Sequence, residues 1–159
     1  MATKTSKSPP LRFAALIRVS TEGQERKGES LRVQRSHIEQ AVTSIGGKVV
    51  HWYGGAEHAT PGFEKAELDR LLADAQRGRF DAVMVSDPDR WSRDNVKSEE
   101  GLRVLLDHDV RFFTGDCERD LTDPNERLFL GISAVIGQYF AANQKRKSNH
   151  ARIQKSRRG

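Results

Sequence analysis

Two short strings hold the residue types that phosphate chemistry needs. Arg18-Val19-Ser20-Thr21-Glu22-Gly23-Gln24 sets a hydroxyl beside a guanidinium. Asp87-Pro88-Asp89-Arg90-Trp91-Ser92-Arg93 adds two more guanidiniums and a carboxylate. Arginine presents a rigid fork of donors that matches phosphate oxygens, and it does not lose its charge. Several arginines around one phosphodiester would stabilise the extra charge of a pentavalent transition state. Ser20 fits the nucleophile of a covalent phosphoseryl intermediate. Other chemistries lack their residues. No His/Asp pair with motif spacing accompanies Ser20, so an acyl-transfer triad is not indicated. Neither a Walker-type loop nor a Rossmann glycine fingerprint occurs, and no dense carboxylate cluster marks a two-metal site. His37, His51, His58, His108 and His150 show no ligand spacing and read as surface residues.

The same residues also fit plainer roles. Ser20-Thr21 after a strand is a natural helix or turn cap. Arg90 and Arg93, three apart, suit a solvated helix edge paired with Asp89 and Asp94. Trp52, Tyr53 and Trp91 read as packing residues rather than base-stacking platforms. What separates the two views is placement. In an open α/β sheet, ligands bind beyond the carboxyl ends of the strands, so the elements around the two strings decide.

Strands and helices alternate. Residues 12–18 (RFAALIR) form a short apolar run and read as a buried strand. Leu31, Val33, Ile38, Ala41, Val42 and Ile45 give a helix over 30–45 that ends at Gly46-Gly47. KVVHWY (48–53) reads as a second strand, and Leu68, Leu71, Leu72 and Ala75 as a helix before Gly78. FDAVMVS (80–86) is a third strand, Leu102, Val104, Leu105 and Leu106 lie in a helix, and VRFFTG (110–115) is a fourth strand. This order predicts an α/β fold, a mostly parallel sheet flanked by helices on both faces. Both arginine strings then open on the same edge of the sheet.

The last element differs. Asp123 suits an N-cap, Pro124 the first helical position, and Glu126 the third. From Leu128 to Ala142, eleven of fifteen residues are Leu, Ile, Val, Ala, Phe or Tyr. Such a helix calls for burial on nearly all sides: one face against the body, and the other against a second chain or within the monomer's own core. Beyond Asn143 no breaker intervenes, so the helix is expected to run on into a basic arm.

The chain has 159 residues, 36% hydrophobic and 31% charged, enough for one modest core. The organisation expected is a disordered segment at 1–11, an α/β catalytic body at 12–122, and a long helix with its arm at 123–159. Net charge is +5, but residues 145–159 hold seven Lys/Arg and no acid, so the other 144 residues sum to 5 − 7 = −2. A basic segment on a balanced body suggests a polyanion partner, against the alternative of a solvated tail. The arm's Lys145, Arg146, Lys147, Arg152, Lys155, Arg157 and Arg158 are its DNA-binding candidates. The opening MATKTSKSPP has no apolar core for a secretory signal, no apolar run spans a membrane, and Cys117 is the single cysteine. A cytoplasmic setting without membrane contact is expected.

Taken together, Ile17-Arg18-Val19-Ser20-Thr21-x-x-Gln24, Ser30-Leu31-x-x-Gln34 and Asp89-Arg90-x-Ser92-Arg93 resemble the serine recombinases: resolvases, invertases and large serine integrases. The resemblance runs from about residue 12 to 158. The long segment between Thr21 and Ser30 and the G-x-V-V-x-W-Y strand look more like the large integrase or transposon branch of mobile-element enzymes.

The resemblance implies site-specific DNA recombination without metal or nucleotide. Ser20 would attack a phosphodiester, take the 5′ phosphate and free a 3′ hydroxyl. Strand exchange and rejoining would follow. Arg18, Arg90 and Arg93 would hold the phosphate and Asp89 would orient them, while Gln24 and Gln34 would line the site. Arg146 would support the DNA-facing side of the long helix. Lys65 stands where the family usually has arginine, keeping the charge and losing the fork. Tyr139-Phe140 stands where a Glu-Arg pair is frequent. The implied partners are double-stranded DNA and further copies of the chain, a homodimer that becomes a tetramer when active. The implied setting is a bacterial or phage-encoded protein at the nucleoid. The family places its DNA-recognition domain after the position of Gly159, so the chain reads either as a catalytic fragment or as an unusually short member. The rival from another class is a non-catalytic, dimerising, DNA-associated domain of the same fold. A generic flavodoxin-like phosphate binder fits less well, because it needs neither the apolar helix nor the arm.

Overall fold

A computed structural model describes residues 8–18, 31–55, 62–92 and 94–158. Five strands form one sheet: β1 (Leu11–Ile17), β2 (Gly47–Gly54), β3 (Ala82–Val85), β4 (Arg111–Thr114) and β5 (Cys117–Arg119). Their spatial order is β2-β1-β3-β4-β5. The first four are mutually parallel, with Ile17 opposite Gly54, Phe13 opposite Ala82 and Val83 opposite Phe112. Only β5 is antiparallel, folding back on β4 through Gly115-Asp116, with Cys117 opposite Thr114. The predicted strands are present, each within two residues of its expected ends; β1 opens at Leu11, one residue before the expected start of the body.

The helices are α1 (Leu31–Ile45), α2 (Phe63–Gln76), α3 (Asn95–Asp107) and α4 (Pro124–Arg158). A continuous apolar strand must be covered on both faces, and β1 is. Phe13, Ala15 and Ile17 pack with Ile38 and Val42 of α1. Ala14 and Leu16 face the other way, into a core shared with Leu68 and Leu71 of α2, Leu102 and Leu105 of α3 and Leu130 of α4. At the amino edge of the sheet, the Arg12 guanidinium donates to both Asp81 carboxylate oxygens, through Nη2 at 3.0 Å and Nε at 3.2 Å. These hydrogen bonds hold the Asp81 carboxyl below its ordinary value. The clip fixes β1 against the start of β3 at the end opposite the arginine strings.

Asp123 caps α4 as expected, its Oδ1 accepting from the Asn125 N–H at 2.9 Å. Glu126, expected to close a capping box, instead accepts from Arg119 Nη1 at 3.4 Å. The helix is 35 residues long, a rod of about 52 Å. Its start is docked: Leu130 is buried, Arg127 pairs with Glu99 at 3.4 Å, and a Cβ on Gly131 would lie 2.5 Å from Asn95 Oδ1. Burial on nearly all sides, expected from the apolar run, is not met within one chain. Leu128, Phe129, Ile132, Val135, Ile136 and Tyr139 are 46–64% exposed. Among the described residues of α4, the buried ones are Leu130 and Gly131, both near its start.

Candidate active site at the carboxyl edge of the sheet

The chain leaves β1 at Arg18, a residue only 9% exposed. Gln34, buried on the second turn of α1, grips its main chain from both sides. Its Nε2 donates to the Arg18 carbonyl at 3.0 Å, and its Oε1 accepts from the Arg18 N–H at 3.4 Å. A buried amide with both ends engaged is rigid, and an apolar replacement would orphan two main-chain groups. Gln34 was expected to line the site; it holds the strand end that supplies Arg18.

β3 ends one strand away, and its string closes on the same point. Pro88–Arg90 form a single 3₁₀ turn with proline at its start. Arg90, 6% exposed, donates from Nη1 to the Arg18 carbonyl at 3.3 Å. Arg18 donates from Nη2 to the main-chain carbonyl of Asp89. Arg18, Gln34, Asp89 and Arg90 are thus brought together. The contact Asp89 makes with Arg18 is through its main chain rather than through the carboxylate that the sequence singled out.

The residues between the arginines anchor the turn. Trp91 is buried, donates from Nε1 to the Ser98 carbonyl at 3.3 Å and meets Phe112 edge-on at 5.1 Å. A Cβ on Gly101 would approach its indole to 2.8 Å, so α3 lies flat against the ring because position 101 is glycine. Ser92 Oγ accepts from the Asp94 N–H at 3.2 Å. Asp94 Oδ1 accepts from the N–H groups of Val96 and Lys97 at 2.9 and 3.3 Å, which makes it the N-cap of α3. Sequence reasoning read Asp94 as a surface partner for arginine and missed the cap, although Asp directly before a helix was the available signal.

Ser20, Gln24 and Arg93 lie outside the described residues. Lys65 is exposed on the first turn of α2. Arg146, Lys147, Arg152 and Lys155 are exposed on α4, and Lys145, Arg157 and Arg158 belong to the same helix. Among the described residues, no group of three or more His, Cys, Asp or Glu is placed to hold a metal ion, and no helix is long and apolar enough to cross a membrane.

Guanidiniums this deeply buried cost free energy unless hydrogen bonds or an anion compensate them. Here the main-chain carbonyls of Asp89 and Arg18 accept from them at the carboxyl edge of the parallel strands. A family model described as the resolvase N-terminal domain matches residues 13–159. The chain belongs to the resolvase N-terminal-domain family.

Relatives within and around this family agree. A protein of Bacillus subtilis (strain 168), provisionally named a DNA recombinase, is 29% identical over 154 residues, which cover 92% of this chain and 29% of the relative. The resolvase domain described here therefore spans under a third of that protein's length. A resolvase-family site-specific recombinase from Streptococcus pneumoniae is 20% identical with a TM-score of 0.60, over 92% of this chain and 99% of that one. The N-terminal catalytic domain of TP901-1 integrase is 25% identical with a TM-score of 0.53, over 84% and 98%. These structures share the resolvase fold of a mostly parallel sheet between helices.

Proposed function

We propose that this resolvase domain is the catalytic domain of a site-specific DNA recombinase that works through a phosphoserine intermediate. One observation carries the reading: Arg18 and Arg90, buried and locked to one another at the strand ends, in a chain of the resolvase family. Ser20 stands two residues beyond Arg18 in the sequence. In the proposed step a bond forms between Ser20 Oγ and phosphorus while the bond from phosphorus to the 3′ oxygen breaks. The serine hydroxyl gives up its proton and the leaving oxygen gains one as a 3′ hydroxyl. The phosphoserine ester conserves the bond energy, so the reverse attack by a 3′ hydroxyl rejoins a strand without a nucleotide.

Arg18, Arg90 and Arg93 neutralise the phosphate as charge builds on it, with Asp89 orienting them and Gln24 lining the site. Gln34 acts on Arg18's main chain, and Lys65 adds charge without a fork. The exposed apolar face of α4 fits a second copy of the chain, giving a dimer and, in the active complex, a tetramer. The cations at 145–158, Arg146 among them, fit the phosphates of double-stranded DNA. The setting is cytoplasmic, where such DNA is found.

The test is covalent trapping on nicked DNA followed by mapping of the modified residue. The unmodified chain should yield an adduct through Ser20. Ser20→Ala should yield none while keeping its circular dichroism spectrum. An adduct persisting in Ser20→Ala overturns the assignment.

A further inference from the structure

The first turn of α2 is held in an unusual way. Its N-cap is Gly62, in a left-handed conformation and without a capping side chain. Leu68 and Leu71 bury the following turns in the core, and the described residues show a further hold on the turn carrying Lys65. Glu67 supplies it. Its Oε2 accepts from the Gly54 main-chain N–H at 2.9 Å, at the carboxyl end of β2, and from Arg70 Nη2 at 2.7 Å. Arg70 is fixed in turn, with its guanidinium 4.6 Å from the centre of the Tyr53 ring. The Tyr53 hydroxyl donates to Asp74 at 2.7 Å.

Gly54 passes this hold on to the site. It is the register partner of Ile17, the last residue of β1 before Arg18. Its φ is +80°, and a Cβ there would lie 2.0 Å from the Ile17 carbonyl oxygen. Two main chains this close move together. The Glu67 side chain, only 17% exposed, therefore ties the helical turn bearing Lys65 to the strand end bearing Arg18.

We propose that Glu67 is a positioning residue for DNA cleavage, fixing the α2 turn of Lys65 against the strand end of Arg18 through the Gly54 N–H. The proposal rests on the recombinase reading above. Glu67 meets the phosphate at no point and acts only by placing others. A displacement of about 1 Å in a phosphate-holding group can cost a hundredfold in rate, whereas DNA affinity, spread over many phosphates, is insensitive to it.

The experiment uses the 159-residue chain, with Glu67→Ala and Glu67→Gln beside it. The probe is a pool of nicked duplexes of randomised sequence. Initial rates of covalent adduct formation, per folded molecule, are compared with affinities for the same pool, at a temperature where circular dichroism finds every variant folded. Glu67→Ala should form adduct about tenfold or more slowly with affinity unchanged. Glu67→Gln, whose amide oxygen still accepts from Gly54, should recover most of the rate.

An unchanged rate in Glu67→Ala overturns the proposal and makes Glu67 a purely structural residue. A fall in affinity equal to the fall in rate overturns it in favour of a DNA-binding role. A Glu67→Gln chain as slow as Glu67→Ala overturns it in favour of a charge effect. No adduct from the unmodified chain overturns the recombinase reading itself, an outcome distinct from the other three.

Discussion

Arg18 and Arg90 at the sheet edge and Arg146, Lys147, Arg152 and Lys155 on α4 carry the same kind of charge in opposite surroundings. The first pair is at most 9% exposed and bound to main-chain carbonyls. The second group stands exposed along a helix. A buried, fixed guanidinium loses little freedom when an anion arrives and is poorly screened by salt, so it can discriminate between ground and transition states. An exposed cation on a rod is screened and adaptable, and it gives affinity without geometric demand. In the proposed function the first region does the chemistry and the second holds the DNA.

Removing one region is the strongest way to break that comparison. Truncation after Asn143 deletes all seven cations of residues 145–159 and leaves a body of charge −2. Affinity for duplex DNA at low salt should fall on the order of a thousandfold, and the slope of log affinity against log salt should flatten by up to about six. A salt titration of both chains checks this. Equal affinities and slopes would reduce the arm to a solvated tail.

A smaller effect sharpens the boundary between body and rod. Ile132 and Tyr139 are 47% and 64% exposed and stand outside the buried core, so charged replacements leave that core in place. Ile132→Lys combined with Tyr139→Lys should leave the fold and thermal midpoint intact. Sedimentation should show the unmodified chain self-associating with rising concentration and the variant staying monomeric. A strict monomer in both would leave the apolar face without the proposed partner.

Much of this was legible in the sequence because burial writes a strong pattern. β1 is apolar at nearly every position, and it is buried on both faces. Pro124 and Asp123 announced α4 and do begin it. β5 was missed for the converse reason: Cys117-Glu118-Arg119 is three residues long, with Cys117 and Glu118 exposed and Arg119 partly buried, so no period or apolar run betrays it. At the site, residue types revealed Arg18 and Arg90, while their mode of contact stayed hidden. Asp89 meets Arg18 through a carbonyl that every residue possesses, and side-chain identity carries no trace of that contact. Glu67 was invisible too, since its partner is the main-chain N–H of Gly54, thirteen residues away.

The division of labour between the two sets of cations is tested most directly by Arg90→Lys, assayed for DNA affinity and adduct formation on one substrate. Lysine keeps the charge, so affinity and its salt slope should stay within about threefold of the unmodified chain. The fork is lost, so adduct formation should slow by about a hundredfold or more. If affinity and cleavage fell by the same factor, Arg90 would be one more cation that holds DNA, and the distinction between the buried pair and the exposed arm would be contradicted.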